Sequence, residues 1–166
     1  MILVTQTASV FVVHPSVPVK NVKELIALAK AKVGRVTYDS SGNGSANHLG
    51  GVLFQHMTGT TLVHVPYKGE ALSLTGILGG QLQSNFNSVG ISTPHIRSGK
   101  LKGLAVTSLK RTSTAPELPT VAETLPGYEA VSWQAIFAPA KTPREVIQKL
   151  ADVAARAAQA PEIRSR

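Results

Sequence analysis

Tyr38-Asp39-Ser40-Ser41-Gly42-Asn43-Gly44-Ser45-Ala46-Asn47-His48-Leu49 sits where one sequence periodicity gives way to another. Upstream, Val36-Thr37-Tyr38 is β-branched and aromatic and reads as the end of a strand. Downstream, Leu49, Val52, Leu53 and Met57 recur at helical spacing and predict an amphipathic helix. The residues between them are small. Glycines let backbone approach a ligand closely, and the free N–H groups of a helix N-terminus point toward negative charge. Strand, Ser/Gly loop and helix start, in that order, make an anion cradle. The same spacing also describes an ordinary strand–helix turn with Ser45 as N-cap. No Gly-Lys-Ser/Thr follows, so this is not a Walker A loop, and it lacks the G-x-G-x-x-G fingerprint.

The unit repeats on either side. Residues 2–13 read as a strand ending at His14-Pro15. Asn21 then caps a helix, with Glu24 three positions later in a capping-box pattern and Gly34 as its stop. Strands are predicted at 35–39, 61–65, 81–86 and 101–107, with helices near 22–33, 45–58 and 70–78 and a turn with a short helix over 88–97. Alternation of this length specifies an α/β fold with one mostly parallel sheet flanked by helices. Ser108–Leu118 reads as loop, Tyr128–Phe137 as a further strand, and Arg144–Ala158 as a helix.

The 166 residues suffice for a compact domain with its own core. Net charge is +8, all of it in the first 115 residues, where eleven Lys/Arg face only Glu24, Asp39 and Glu70. Such a lobe suits an anionic ligand or a solvated surface. Nucleic acid is disfavoured, because aromatic residues are few and the basic ones are scattered. There is no cysteine, no apolar run long enough to span a membrane, and no secretory signal within these residues. Catalysis has little to stand on: no G-x-S-x-G elbow, no H-E-x-x-H, and no carboxylates paired at helical spacing in the first 115 residues. His48 and His56 share a helix face two turns apart, which fits hydrogen-bonded packing better than a metal site. Neither a metal nor a cofactor is expected.

Seven blocks carry a resemblance over nearly the whole chain. They are the 38–49 loop, Val65-Pro66-Tyr67-Lys68-Gly69, Leu78-Gly79-Gly80-Gln81, Pro94-His95-Ile96-Arg97-Ser98-Gly99-Lys100-Leu101, Leu104-Ala105-Val106-Thr107-Ser108, Pro119-Thr120-Val121-Ala122-Glu123 and Leu125-Pro126-Gly127-Tyr128-Glu129. In this order and spacing they resemble the Bug-type substrate-binding proteins, the periplasmic receptors of tripartite tricarboxylate transporters. The resemblance implies one lobe of a two-lobe, Venus-flytrap architecture. It also implies a function: capture of a small organic carboxylate for membrane permease subunits, without catalysis. A ligand sensor serving a signalling partner is the alternative within that class. An α/β enzyme with catalytic residues elsewhere is the alternative outside it.

For the site, the resemblance assigns Ser41, Gly42, Gly44 and Ser45 to the second lobe's half of a carboxylate site. Phe86-Asn87-Ser88 is a second candidate, since ligands of open α/β sheets favour the carboxyl ends of strands. The family often has Asp where Asn87 stands; Asn87 either favours a more anionic ligand or simply caps the next turn. Tyr67 and Lys68 form a third loop, in which Lys68 is either a ligand partner or merely solvated. Asp39 opposes anion binding unless it turns away or pairs with a base such as Arg35. Trp133 is expected to pack rather than to stack on a ligand.

Aligned on those motifs, residues 1–13 form an inter-lobe strand, 14–130 the second lobe, and 131–166 a crossover with part of the first lobe. The chain then reads as an internal fragment of a periplasmic protein whose signal peptide lies outside it. Trp133, Ile136, Phe137, Val146, Ile147 and Leu150, together with the strand at 2–13, are expected to lack packing partners. Dimerisation or exchange of this segment between chains would follow.

Overall fold

A computed structural model describes residues 2–160, and two compact units divide them. The larger comprises Thr7–Ser132; the smaller comprises the chain before Thr7 and the segment from Trp133 onward. Strand β1 (Ile2–Val13) contributes residues to both.

In the larger unit the chain runs from β1 through α1 (Val22–Ala31), β2 (Thr37–Ser40), α2 (Ala46–Thr58), β3 (Val63–Pro66), α3 (Glu70–Leu78), β4 (Ser84–Ser88), α4 (Val89–Arg97) and β5 (Lys102–Val106). The sheet order is β3-β2-β4-β1-β5. β2 pairs in parallel with both β3 and β4, while β1 is antiparallel to β4 and to β5. Four strands therefore run one way, as expected, and β1 is inserted against them. The predicted strands are all present in one sheet, each starting one to three residues later than its sequence suggests. A hydrogen-bonded turn accounts for the delay at β2: Arg35 N–H donates to Lys32 O and Gly34 N–H to Thr61 O.

Alternation along the strands sorts side chains onto two faces. Phe11, Val13, Tyr38 and Phe86 form one core with Val22, Leu25 and Ala29 of α1 and Phe54 of α2. Val10 and Val12 form the other, with Ile77 of α3 and Val89 of α4. A register shift between Phe11 and Val12 on β1 lets Leu104 and Ala105 join the first core together, while Val106 joins the second. The expectation that the strand at 2–13 lacks packing partners is corrected here: Val10, Phe11, Val12 and Val13 are fully buried.

Two local readings of the helices fare differently. Asn21 does cap α1: its Oδ1 accepts from Glu24 N–H at 2.9 Å, and Glu24 reaches back to the Lys20 N–H at 2.7 Å. On α2 the predicted apolar stripe is only half right. Leu53 and Met57 pack on the core, but Leu49 and Val52 are exposed. The buried face is Gly50, Gly51, Phe54 and Thr58. Its glycines let the helix lie on Tyr38; a Cβ at Gly51 would stand 2.2 Å from that ring.

The smaller unit contains most of β6 (Val131–Ile136), which pairs with β1, and α5 (Arg144–Gln159). Thr5 Oγ1 donates to Gln134 Oε1 at 3.1 Å. No residue of α5 is buried, and Trp133, Ile136, Phe137, Val146 and Leu150 are all exposed, whereas Ile147 is half-buried.

Candidate functional site

Because β3, β2 and β4 are adjacent and parallel, their carboxyl ends share one edge. The chain leaves that edge three times to start a helix: at Ala46, at Glu70 and at Val89. Three helix N-termini thus converge on it, each presenting partial positive charge. Hydrogen bonds tie the connections together. Tyr67 N–H donates to Ser40 O at 3.0 Å and Gly69 N–H to Ser41 O at 3.2 Å. Glu70 Oε1 accepts from Ser88 N–H at 2.6 Å.

The Ser41–Ser45 loop is shaped by two glycines whose φ angles, 138° at Gly42 and 78° at Gly44, other residues rarely adopt. Ser45 caps α2, its Oγ accepting from His48 N–H at 3.3 Å. Several amides expected to face a ligand are already engaged. Gly42 N–H donates to Ser40 Oγ (3.1 Å), Gly44 N–H to His48 Nδ1 (3.1 Å) and Ser45 N–H to Gly42 O (3.2 Å). Among the described residues, the amides of Asn43, Ala46 and Asn47 and the hydroxyl of Ser41 have no partner. Those are the groups the loop can offer an anion.

The other candidates divide. Ser88 is half-buried, its amide held by Glu70, and Lys68 is exposed. Phe86 belongs to the core: its ring stacks on Phe11 at 4.0 Å and is 1% exposed, which leaves only its backbone at the edge. Tyr67 is committed to α3. Its hydroxyl donates to Gln81 Oε1 at 3.4 Å, and a Cβ on Gly76 would meet that hydroxyl at 2.5 Å. Asn87 is fully buried on the α3–α4 side, with Oδ1 accepting from Ser88 N–H and Nδ2 unpartnered. It stands one residue before the N-cap of α4, so it is not that helix's cap.

Asp39 turns away from the loop, as one of its two expected escapes required, but its partner is not Arg35. Ser73 Oγ donates to Asp39 Oδ2 at 2.8 Å and accepts from Asn85 Nδ2 at 2.8 Å. Asp39 Oδ1 and Asn85 Oδ1 are buried without partners. Burial, only partly offset by these hydrogen bonds, pushes the Asp39 carboxyl up to about 7. Among the described residues no cation offsets it, and the carboxylate adds little charge to the loop.

Sequence reading missed Ser40, Glu70 and the pairing of two histidines. His48 does not act with His56; it lies against His64 of β3, ring centroids 4.3 Å apart. His64 Nε2 is 2.7 Å from Ser40 Oγ, which also donates to Gly42 O at 3.0 Å. The only available signal was strand register, which sets His64 opposite Tyr38, two residues before Ser40.

Comparison with known proteins places this geometry. The family model described as "Tripartite tricarboxylate transporter family receptor" matches residues 1–166. A protein encoded in the tcbD–tcbE intergenic region of Pseudomonas sp. strain P51 is 32% identical over 165 residues, 98% of this chain and 49% of that protein. The structure of R. palustris Rpa4515 with adipate matches with a TM-score of 0.86 at 34% identity, over 98% of this chain and 55% of that one. The periplasmic binding protein BugD matches with a TM-score of 0.85 at 33% identity, with the same two coverages. This chain spans about half the length of these relatives. The resemblance read from seven motifs is borne out, as is the α/β lobe of periplasmic-binding-protein type, its sheet mixed by the insertion of β1.

Proposed function

The chain belongs to the tripartite tricarboxylate transporter receptor family, and from that membership we propose that its larger unit supplies one wall of a cleft for a small organic carboxylate. The family is one of solute receptors, and catalysis forms no part of this reading. The adipate of the R. palustris structure, at 34% identity, supports a carboxylate ligand. On this reading residues 1–13 pass between lobes, 14–130 are the second lobe, and 131–166 return to the first. The whole receptor would work in the periplasm and hand its ligand to membrane permease subunits. Among the described residues no helix is long and apolar enough to cross a membrane.

The observation that carries the reading is the set of unpaired donors at one sheet edge: the Ser41 hydroxyl and the amides of Asn43, Ala46 and Asn47, at the start of α2. Carboxylates bind such groups through charge-assisted hydrogen bonds, each contributing roughly 1.5–3 kcal/mol. Lys68 and Ser88 flank them on the neighbouring connections.

One wall without the other leaves the ligand half solvated. Calorimetry or amide-shift titration of this chain with adipate should therefore give a dissociation constant of about 1 mM or weaker, near −4 kcal/mol. Shifts should centre on residues 41–47. Micromolar affinity, or shifts confined elsewhere, would refute the assignment.

A further inference from the structure

The best-connected groups around the Ser41–Ser45 loop are two imidazoles that the carboxylate reading does not use. His48 Nδ1 accepts the Gly44 N–H at 3.1 Å, so the neutral ring carries its proton on Nε2. The Gly44 amide is thereby withdrawn from any ligand. On the other side of His48, the His64 ring lies 4.3 Å away and reaches Ser40 Oγ, the atom that holds both the N–H and the carbonyl of Gly42. The two rings thus govern both glycines of the loop.

Their protonation has opposite consequences. Ser40 Oγ spends its proton on Gly42 O, so His64 Nε2 is the donor in their contact. That bond survives whether or not His64 is charged. His48 is different: a proton on Nδ1 faces the Gly44 N–H and breaks the contact outright. The amide is then free and a positive charge stands beside the loop.

We propose that His48 is the proton-linked member of the anion site, closing Gly44 away from ligand when neutral and adding both a cation and the Gly44 amide when protonated. This rests on the carboxylate reading for the ligand's class, though the clasp itself needs only an oxyanion. Binding of the anion draws a proton onto His48, and by linkage acidification strengthens binding.

The surroundings permit this without favouring a permanent charge. Across from His48, β3 offers His64, which burial and then the charge of His48 hold below the usual imidazole range. β2 offers Tyr38 behind His64, a phenol that burial keeps protonated. Asp39 is bound to Ser73 on the opposite face of the sheet and does not compensate His48. β1 and β4 contain no ionisable side chain. On its own helix His56 is two turns away.

The test uses sulfate, which does not titrate near neutrality, and compares the chain with His48→Asn, whose Oδ1 keeps an acceptor for Gly44 but cannot ionise. Between about pH 8 and about pH 5.5, the interval that brackets an imidazole, the Gly44 amide signal of the ligand-free chain should follow the His48 titration. Sulfate affinity at residues 41–47 should rise about tenfold on acidification and change less than about twofold in His48→Asn, where each tenfold is 1.4 kcal/mol. Thermal melting identifies a variant that has merely unfolded, in which case His48→Gln replaces it. A flat Gly44 signal, or an equal pH response in the variant, overturns the inference. Adipate separates the two readings: binding at about pH 8 with no role for His48 sinks only this proposal. Sulfate binding that depends on His48, with no adipate bound at any pH, upholds it and sinks the carboxylate assignment.

Discussion

Ala46 offers the most direct way to remove one donor from the loop. It is the first residue of α2, and its amide has no partner among the described residues. Proline is tolerated at that helical position, and the extended conformation of Ser45 (φ −65°, ψ 159°) already suits a residue before proline. Ala46→Pro should weaken carboxylate or sulfate binding about tenfold, consistent with one charge-assisted hydrogen bond. Urea midpoints should be unchanged. Asp39 supports a prediction about pH. Its folded-state value near 7 lies above the ordinary 3.8, so the folded chain holds a proton that the unfolded chain has released. The contribution of this carboxyl to stability is therefore fully present at or below about pH 4, is lost as pH rises through 7, and is level above that. Asp39→Asn should remove this contribution and so stabilise the protein more at about pH 8 than at about pH 4, as urea unfolding at both ends of the range would measure. An effect of the substitution that is equal at both pH values would contradict the burial argument.

Helix α2 shows what a hydrophobic pattern can and cannot reveal. The helix was legible from its capping serine and its periodic apolar residues. Its inner face was not, because Gly50 and Gly51 have no side chain to register, and Leu49 and Val52 face outward. The packing carries a sharp expectation. Gly51→Ala gains up to about 1 kcal/mol of helix propensity, yet its new methyl meets the buried Tyr38 ring at 2.2 Å. Overpacking of that kind should cost about 1–3 kcal/mol net. Gly90→Ala, in α4 with nothing within 4 Å, should instead stabilise by a few tenths to about 1 kcal/mol. Thermal melts of the two variants should move in opposite directions. Strand β2 was legible in another way: alternation alone put Asp39 opposite Tyr38 and Ser40. The contact of His48 with His64 was hidden, since it joins a helix to a strand 16 residues on and forms only when β2 and β3 pair in parallel.

At the scale of the molecule, sequence alternation was enough to specify the α/β layers. The place of β1 was not visible, because its partners β4 and β5 lie more than seventy residues downstream. The exposed side chains of the smaller unit were foreseen from the motif alignment, and they carry a solution prediction. Trp133 (56% exposed), Phe137 (65%) and Leu150 (49%) form apolar surface of a kind that promotes association. Light scattering should show concentration-dependent oligomers, and Phe137→Ser with Leu150→Glu should reduce them. Limited proteolysis should cut between 133 and 160 before it cuts between 35 and 107. A monodisperse monomer equally resistant in both regions would contradict this.

The insertion of β1 between β4 and β5 also sets an order in time. Val10 pairs with Asn87 and with Val106, so the earliest-made residues of the sheet must wait for some of the latest. Until about residue 88 is available, Val10–Val13 form an unpaired apolar strand with both edges bare, and one edge stays bare until about residue 106, a segment suited to wrong partners. Contacts so distant in sequence make closure slow relative to helix formation. A chain that must stay unfolded before it reaches its working compartment would draw an advantage from this. Its sheet cannot close early, because an inner strand made first must wait for β5.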